Sequence, residues 1–362
     1  MVSGWRLAGL AAILGLGIAG LALADGWRGS LAARRSGLGS DFLGSGALRP
    51  AVPPGRDVRA SAGLRLLDQA AAACQAVSYS GEQALLWWGP GETSASVVDV
   101  WHQPGRVTLV RSADGAADQD PDGILGVSTQ LLVLLESNYQ VVYAGRGSAA
   151  GRPALVVAVR RPGGGLAARF WLDAATKLPL QRQLFSQGAH MVSQEAFISL
   201  QVGARAVAAM PAPARAPSAA PLHQASAMAL RAQGWPLPSE LPGNLALFAA
   251  TETSSRSGPV INLSYSDGLA VISVFVQRGE LGAPMPGWRQ IGMDGQTVYS
   301  VNPDERSFAW SSGGFVYTVV ADAPVATVGQ VVAAMPNSAP RGFWERMAIG
   351  FRRLASWLNP LR

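Results

Sequence analysis

Cysteine is almost absent. Cys74 stands alone among 362 residues, so neither an intramolecular disulfide nor a cysteine-based metal site can form. Its Ala-rich surroundings predict a small buried thiol. Lysine is as scarce, with Lys177 facing 28 arginines. Charged residues make up 14% of the chain, against roughly 25% in ordinary soluble domains. Only three histidines occur, His102, His190 and His223. There is no G-x-S-x-G nucleophile elbow, no H-E-x-x-H pair and no glycine phosphate loop. His102, next to Trp101 and Gln103-Pro104, reads as a surface residue at a strand end. Together these absences predict a protein that is not an enzyme, with no cofactor and no metal.

What remains is apolar and glycine-rich. Hydrophobic residues reach 49%, with 42 Gly and 24 Pro. The length suggests two domains, each large enough to bury a core. The net charge of +6 is unevenly placed. Residues 1–60 carry seven Arg and three Asp, and residues 341–362 carry five Arg and one Glu, so each tail holds +4 and the 280 residues between them sum to −2. A nucleic-acid binder should be basic on its folded body. Basic tails beside apolar sequence suit an anionic membrane surface instead, while a coding bias toward arginine is the alternative source of the same charge.

The N-terminus predicts export. Leu7 to Ala24 is uncharged and ends in the small-x-small site Ala22-Leu23-Ala24, the pattern of a cleaved signal peptide. Its length also reaches the minimum for a spanning anchor, with Arg28, Arg34 and Arg35 following, so residues 1–24 read as signal or anchor. Residues 25–61 read as a flexible basic linker. At the other end, Phe343, Met347, Phe351, Leu354 and Leu358 share one helical face, with Trp344 on its flank and Arg346, Arg352 and Arg353 elsewhere round the helix. Residues 341–362 thus predict a basic amphipathic helix, for a membrane surface, its own domain or a partner.

Between the tails the periodicity predicts an α+β organisation. Leu64, Leu67, Ala71 and Cys74 recur at helical spacing, which predicts a helix over 62–77. Short β-branched and aromatic runs follow to about 202, including Ala84 to Trp88, Val97 to Trp101, Ala154 to Arg160, Ala168 to Leu172 and Leu180 to Phe185. A helix within 123–138 interrupts them. Residues 62–202 therefore read as one curved antiparallel unit with packed helices. Residues 203–234 read as a Pro/Ala linker. Residues 235–336 read as a smaller antiparallel-sheet domain, with strands at Val271 to Val276, Thr297 to Val301, Phe308 to Trp310 and Phe315 to Val320 and a helix at Thr327 to Ala334. Asp118-Gln119-Asp120-Pro121-Asp122-Gly123 opens like a calcium loop, but Thr129 stands where the bidentate Glu belongs, so it reads as a solvated loop tip.

Trp171-Leu172-Asp173-Ala174-Ala175-Thr176-Lys177-Leu178-Pro179-Leu180 resembles the W-x-D-x-x-[TS]-x-L-P hairpin of the LolA-like lipoprotein-carrier fold. Further segments agree, in order, with one branch of it, the RseB/MucB regulators of an extracytoplasmic-stress sigma factor. They are Ser78-Tyr79-Ser80-Gly81, Trp235 with Leu241-Pro242-Gly243, Tyr265-Ser266-Asp267-Gly268-Leu269 with Ser273-Val274-Phe275-Val276, and Thr318 to Pro324. The resemblance spans about residues 62–336. On their own chemistry these are fold-defining residues. Asp173 and Leu178-Pro179 make a tight strand connection, with Pro179 at a strand start, and Asp267-Gly268 is a hairpin turn.

The resemblance implies a LolA-like half-barrel of antiparallel strands followed by a smaller antiparallel-sheet domain. It implies a periplasmic protein that binds the extracytoplasmic segment of a transmembrane anti-sigma factor and shields it from proteolysis, released by a lipid-like signal in the large domain's hydrophobic cavity. Trp87, Trp88, Trp101, Tyr143, Phe170 and Phe185 are the aromatic candidates for lining such a cavity; a plain packed core uses the same residues. Strand alternation forbids neighbours such as Phe170 and Trp171 from sharing a face. A lipid or lipoprotein carrier, or an envelope scaffold without ligand, are the competing readings. The basic N-terminal linker, the loop at 111–123 and the tail at 341–362 depart from the family pattern.

Overall fold

The computed structural model describes residues 56–88, 93–106, 108–112, 118–120, 127–212, 219–255, 258–281, 288–293, 296–300 and 307–336. The signal or anchor at 1–24, nearly all of the basic linker at 25–61, the second half of the acidic loop, and the helix with Phe343, Trp344, Met347, Phe351, Leu354 and Leu358 lie outside the described residues.

Helix α1 (Arg56–Ala76) starts six residues before its predicted position. The expected face is the one that packs, with Leu67, Ala70, Ala71 and Cys74 all buried. Four strands follow, β1 (Tyr79–Trp88), β2 (Thr93–His102), β3 (Thr108–Ser112) and β4 (Asp118–Asp120). Helix α2 (Thr129–Asn138) then begins at Ser128, whose hydroxyl accepts the Leu131 N–H at 3.4 Å, an N-cap that satisfies one orphan donor. Strands β5 (Gln140–Ala149), β6 (Arg152–Arg160), β7 (Leu166–Asp173), β8 (Pro179–Phe185) and β9 (Met191–Val202) complete the unit.

All nine pair antiparallel in the order β4-β3-β2-β1-β9-β8-β7-β6-β5. The chain thus builds outward from β1 to one edge, passes through α2 to the opposite edge, and returns to the middle. Strand β9 closes the gap between β1 and β8, pairing Ala84 with Ala196 and Gln183 with Gln194. A small residue fixes how α1 lies on the edge strand: a Cβ on Gly63 would stand 2.8 Å from the Val142 carbonyl carbon.

The core of this unit lies between α1, α2 and the sheet, built from Leu67, Leu132, Leu135, Val157, Phe170 and Leu172. A second cluster gathers Cys74, Tyr79, Val98, Val100 and Phe197. Burial pushes the Cys74 thiol up to about 12, so no reactive thiolate exists near neutrality. Iodoacetamide at pH 8 should leave Cys74 unmodified in the native protein and alkylate it once urea unfolds the chain; native labelling at the unfolded rate would contradict this packing.

The second unit begins earlier than the sequence predicts. Within the expected linker, β10 (Ala219–Pro221) pairs with a strand of the second sheet. Helix α3 (Gln224–Ala232) packs Ala227 and Leu230 against the second core. Strands β11 (Glu240–Leu241), β12 (Leu245–Ser255), β13 (Gly258–Ser266), β14 (Val271–Arg278), β15 (Arg289–Met293), β16 (Gln296–Ser300), β17 (Ser307–Ser312) and β18 (Phe315–Asp322) follow, then α4 (Val325–Ala334). The sheet order is β10-β12-β13-β14-β18-β17-β16-β15, with β11 beside β12. Trp235, Ile272, Val274, Trp310, Tyr317 and the Val328/Val331/Val332 face of α4 fill its core. Trp310 stacks on Tyr317 at 5.2 Å. The expected α+β class and two-sheet arrangement hold.

Candidate functional site at the domain junction

The two motif turns have different partners. In the first, Asp173 is buried at the end of β7. Its Oδ2 accepts the Thr176 hydroxyl at 2.7 Å, the Thr176 N–H at 3.3 Å and the Arg152 guanidinium at 3.0 Å. Leu178 is fully buried beneath the turn and Pro179 opens β8. Burial alone would raise the Asp173 carboxyl; the hydrogen bonds from Arg152 and Thr176 outweigh it and hold the group below the usual carboxylate range. A depressed folded value means stability that is complete above the ordinary aspartate pKa of about 4 and fades as pH falls through the folded value. Asp173→Asn should therefore cost about 1–3 kcal/mol at pH 7. In urea titrations across pH that difference should shrink in strong acid; a constant difference would show that the charge is irrelevant.

The second turn reaches out of its own domain. Between β13 and β14, Asp267 Oδ1 accepts the Leu269 and Ala270 N–H groups at 2.9 and 2.8 Å. Ser266 Oγ accepts the Gly268 N–H and donates to the Ala270 carbonyl. Held this way, the turn presses against α2. The Tyr139 hydroxyl donates to Asp267 Oδ2 at 2.5 Å, and the Asn138 side-chain amide donates to the Asp267 carbonyl at 3.0 Å. Burial, then the neighbouring Asp267 carboxylate, push the Tyr139 hydroxyl far above its ordinary value, so it stays a donor. Gly268 has φ +99°, and a Cβ there would sit 2.2 Å from the Leu135 nitrogen. Leu269 is buried inside the first domain's core, among Leu132, Leu135, Phe170 and Leu184. Tyr265 anchors the turn's base, fully buried, with its hydroxyl on the Pro238 carbonyl at 2.8 Å.

Arg182 on β8 completes the junction. It pairs with Phe170 across the ladder, is 3% exposed, and donates to the Leu269 carbonyl at 3.1 Å and to Asp322 Oδ2 at 2.9 Å. Burial opposes its charge, but Glu195, Asp322 and Asp267 outweigh that and keep it protonated. Sequence reasoning singled out Asp267 and Gly268 as a hairpin turn and missed Tyr139, Arg182 and Asp322 as their partners. A lone Arg in an otherwise apolar-alternating strand was the available signal.

The six aromatic candidates do not converge. Phe170 is buried in the α1/α2 core, while Trp171 packs in a different cluster with Ala154, Val156 and Leu180, as alternation requires. Trp101 lies under the Arg111 guanidinium at 4.7 Å. Trp87, Trp88 and Phe185 are half-buried at strand ends. Tyr143 lines a groove of about 310 Å³ together with Ala62, Arg65, Leu66, Gln69 and Leu155. The expectation of a surface His102 is overturned. His102 is buried and stacks on Tyr79 at 5.1 Å. Its Nε2 donates to the Gln75 carbonyl, so the Thr108 hydroxyl donates to Nδ1 at 3.2 Å. The strand end is covered by the C-terminus of α1, which the sequence alone does not place there. Burial holds this imidazole below its ordinary pKa.

Among the described residues no group of three His, Cys, Asp or Glu is placed to hold a metal ion, and the junction's charged groups are engaged in structural pairs. The arrangement mounts two open sheets in one fixed relation, which suits binding. No protein of curated function matches the sequence. Similar solved structures include MucB in complex with MucA(peri), 23% identical over 76% of this chain and all of that one with a TM-score of 0.44. The Pseudomonas aeruginosa MucA/MucB complex is 22% identical over 77% of this chain and all of that one, with a TM-score of 0.40. A LolA superfamily protein of Nitrosomonas europaea is 9% identical over 57% of this chain and 91% of that one, with a TM-score of 0.19. The family profile described as the MucB/RseB N-terminal domain matches residues 102–221. That match runs from the last residue of β2 through β10, so this part of the chain is similar to the MucB/RseB N-terminal domain.

Proposed function

We propose that this chain is a periplasmic regulator that binds the outer segment of a membrane anti-sigma factor and protects it from proteolysis. The observation that carries the reading is the MucB/RseB domain match over residues 102–221, the function being the one this family implies. The junction supports it, because a body whose two sheets are locked by Asp267, Gly268, Leu269 and Arg182 offers a pre-organised surface, and pre-organisation lowers the ordering cost of binding a flexible segment.

A lipid-like signal has a defined obstacle in this reading. The interior between α1, α2 and the sheet is filled by the protein's own side chains, Leu269 of the second domain among them. An acyl chain enters there by displacing Leu269, which couples the signal to the domain junction. No observation favours a lipid or lipoprotein carrier, which needs an open interior.

Affinity capture of the tagged, detergent-solubilised chain from its native membranes, followed by mass spectrometry, tests the proposal. The expected result is a single-span protein with a cytoplasmic sigma-binding domain, whose outer segment is cleaved more slowly by native membranes when this protein is added. Capture of lipoproteins or acyl lipids alone would overturn it.

A further inference from the structure

Strand β5 ends the first sheet, and among the described residues no strand pairs with its free side. Its pairing with β6 runs from Gln140–Arg160 to Ala149–Arg152, with one irregularity between Tyr143 and Gly145. A ten-residue edge is long for a sheet margin; such edges are usually guarded by proline, charge, a bulge or a covering helix, and here α1 meets the strand through Gly63 at Val142 and Tyr143, just before the irregularity. Strand β5 has neither proline nor lysine. Beside it lies the groove of Ala62, Leu66, Tyr143 and Leu155, apolar and large enough for one side chain.

The rim of this groove has one sign. Arg65 lines it; Arg146 is exposed and pairs with Leu155, itself a groove residue. Neither β5 nor β6 contains an Asp or Glu. Asp68 of α1 is turned about 100° round the helix from Gln69, off the groove's stripe. An edge of unpaired backbone groups calls for an extended backbone; the groove calls for an apolar side chain, and the arginines call for carboxylates.

We propose that the free edge of β5 and this groove take an extended, acidic and apolar peptide segment as an added tenth strand. The inference rests on the proposed function, whose partner supplies that segment. Backbone pairing gives affinity and the alternating side chains give specificity, the mode of β-augmentation.

The test uses the solubilised full chain and the complete outer segment of the source organism's anti-sigma factor, made recombinantly with a fluorescent label. Binding is followed by anisotropy and by hydrogen exchange of residues 140–149. The expected result is binding that slows exchange in β5 and weakens at least about tenfold in the Arg65→Glu/Arg146→Glu variant. Ala62→Trp, which fills the groove from a half-buried position, should weaken it too, with thermal unfolding of both variants unchanged. Binding with exchange slowed only elsewhere would overturn this site and leave the functional reading standing. No binding by the unaltered chain would overturn both. Protection of β5 that grows with protein concentration and needs no peptide would assign the edge to a second copy of the chain.

Discussion

Replacing Gly268 with alanine is expected to part the two domains. The new Cβ would stand 2.2 Å from the Leu135 nitrogen and 2.3 Å from its Cα. Both atoms belong to the backbone of α2, which cannot yield without breaking its ladder. The residue also sits at φ +99°, which costs a side-chain-bearing residue about 1–2 kcal/mol. Overpacking adds about 1–3 kcal/mol, so the penalty is about 2–5 kcal/mol, against the 5–15 kcal/mol typical of a whole fold. The cheapest escape is withdrawal of the turn, which removes Leu269 from the first core. Calorimetry should then show two separate transitions, against a single one expected for the native protein. Gly313→Ala is the control: its φ is +60°, and nothing lies within 4 Å of a Cβ there. A single unshifted transition in Gly268→Ala would refute the lock.

Loss of Arg182 should be nearly as damaging. Removing one partner of a buried ion pair costs about 3–5 kcal/mol when the other is left buried. Asp322 keeps 34% of its side chain exposed, so water recovers part of that loss. Arg182→Ala also leaves the Leu269 carbonyl without this donor, worth about 1–3 kcal/mol. The expected total is about 3 kcal/mol in urea unfolding at pH 7. Arg182→Met, which keeps the volume, should cost less, and Asp322→Asn, which keeps an acceptor, least of all. A loss in Arg182→Ala with none in Arg182→Met or Asp322→Asn would mean that packing, not charge, holds the domains.

The two-sheet plan and most strand positions were readable because β-branched and aromatic residues cluster in β6, β7, β14 and β18. Strand β9 was not, since Ser193-Gln194-Glu195 interrupts its apolar residues; Ser193 and Gln194 are nevertheless buried, with Gln194 satisfied by Gln183 at 2.8 Å. Strand β12 was hidden by its Ala, Ser and Thr content. Helix α3 sat in a stretch read as linker because prolines surround it, although Gln224 to Ala232 is rich in helix-forming alanine. The Asp267-Gly268 hairpin was legible as a turn from local chemistry. That it closes on Tyr139 and Arg182 was not, because those contacts span 128 and 85–87 residues of sequence and no local pattern encodes them.

The position of β9 bears on how the protein is made. Trp87 pairs with Ser193 and Tyr79 with Val202, so the sheet cannot be joined until the chain has been delivered more than 100 residues beyond the end of its first strand at Trp88. Contacts of such separation slow folding, because chain entropy is lost before they form. Until β9 arrives, β1 and β8 each present an open margin, the condition in which newly emerging β-rich chains associate wrongly. A chain that threads through a membrane from its N-terminus would spend that interval half-assembled. Truncation between Phe185 and Met191 would remove the strand that joins the two halves, leaving β1–β4 and β5–β8 as separate, sticky ribbons.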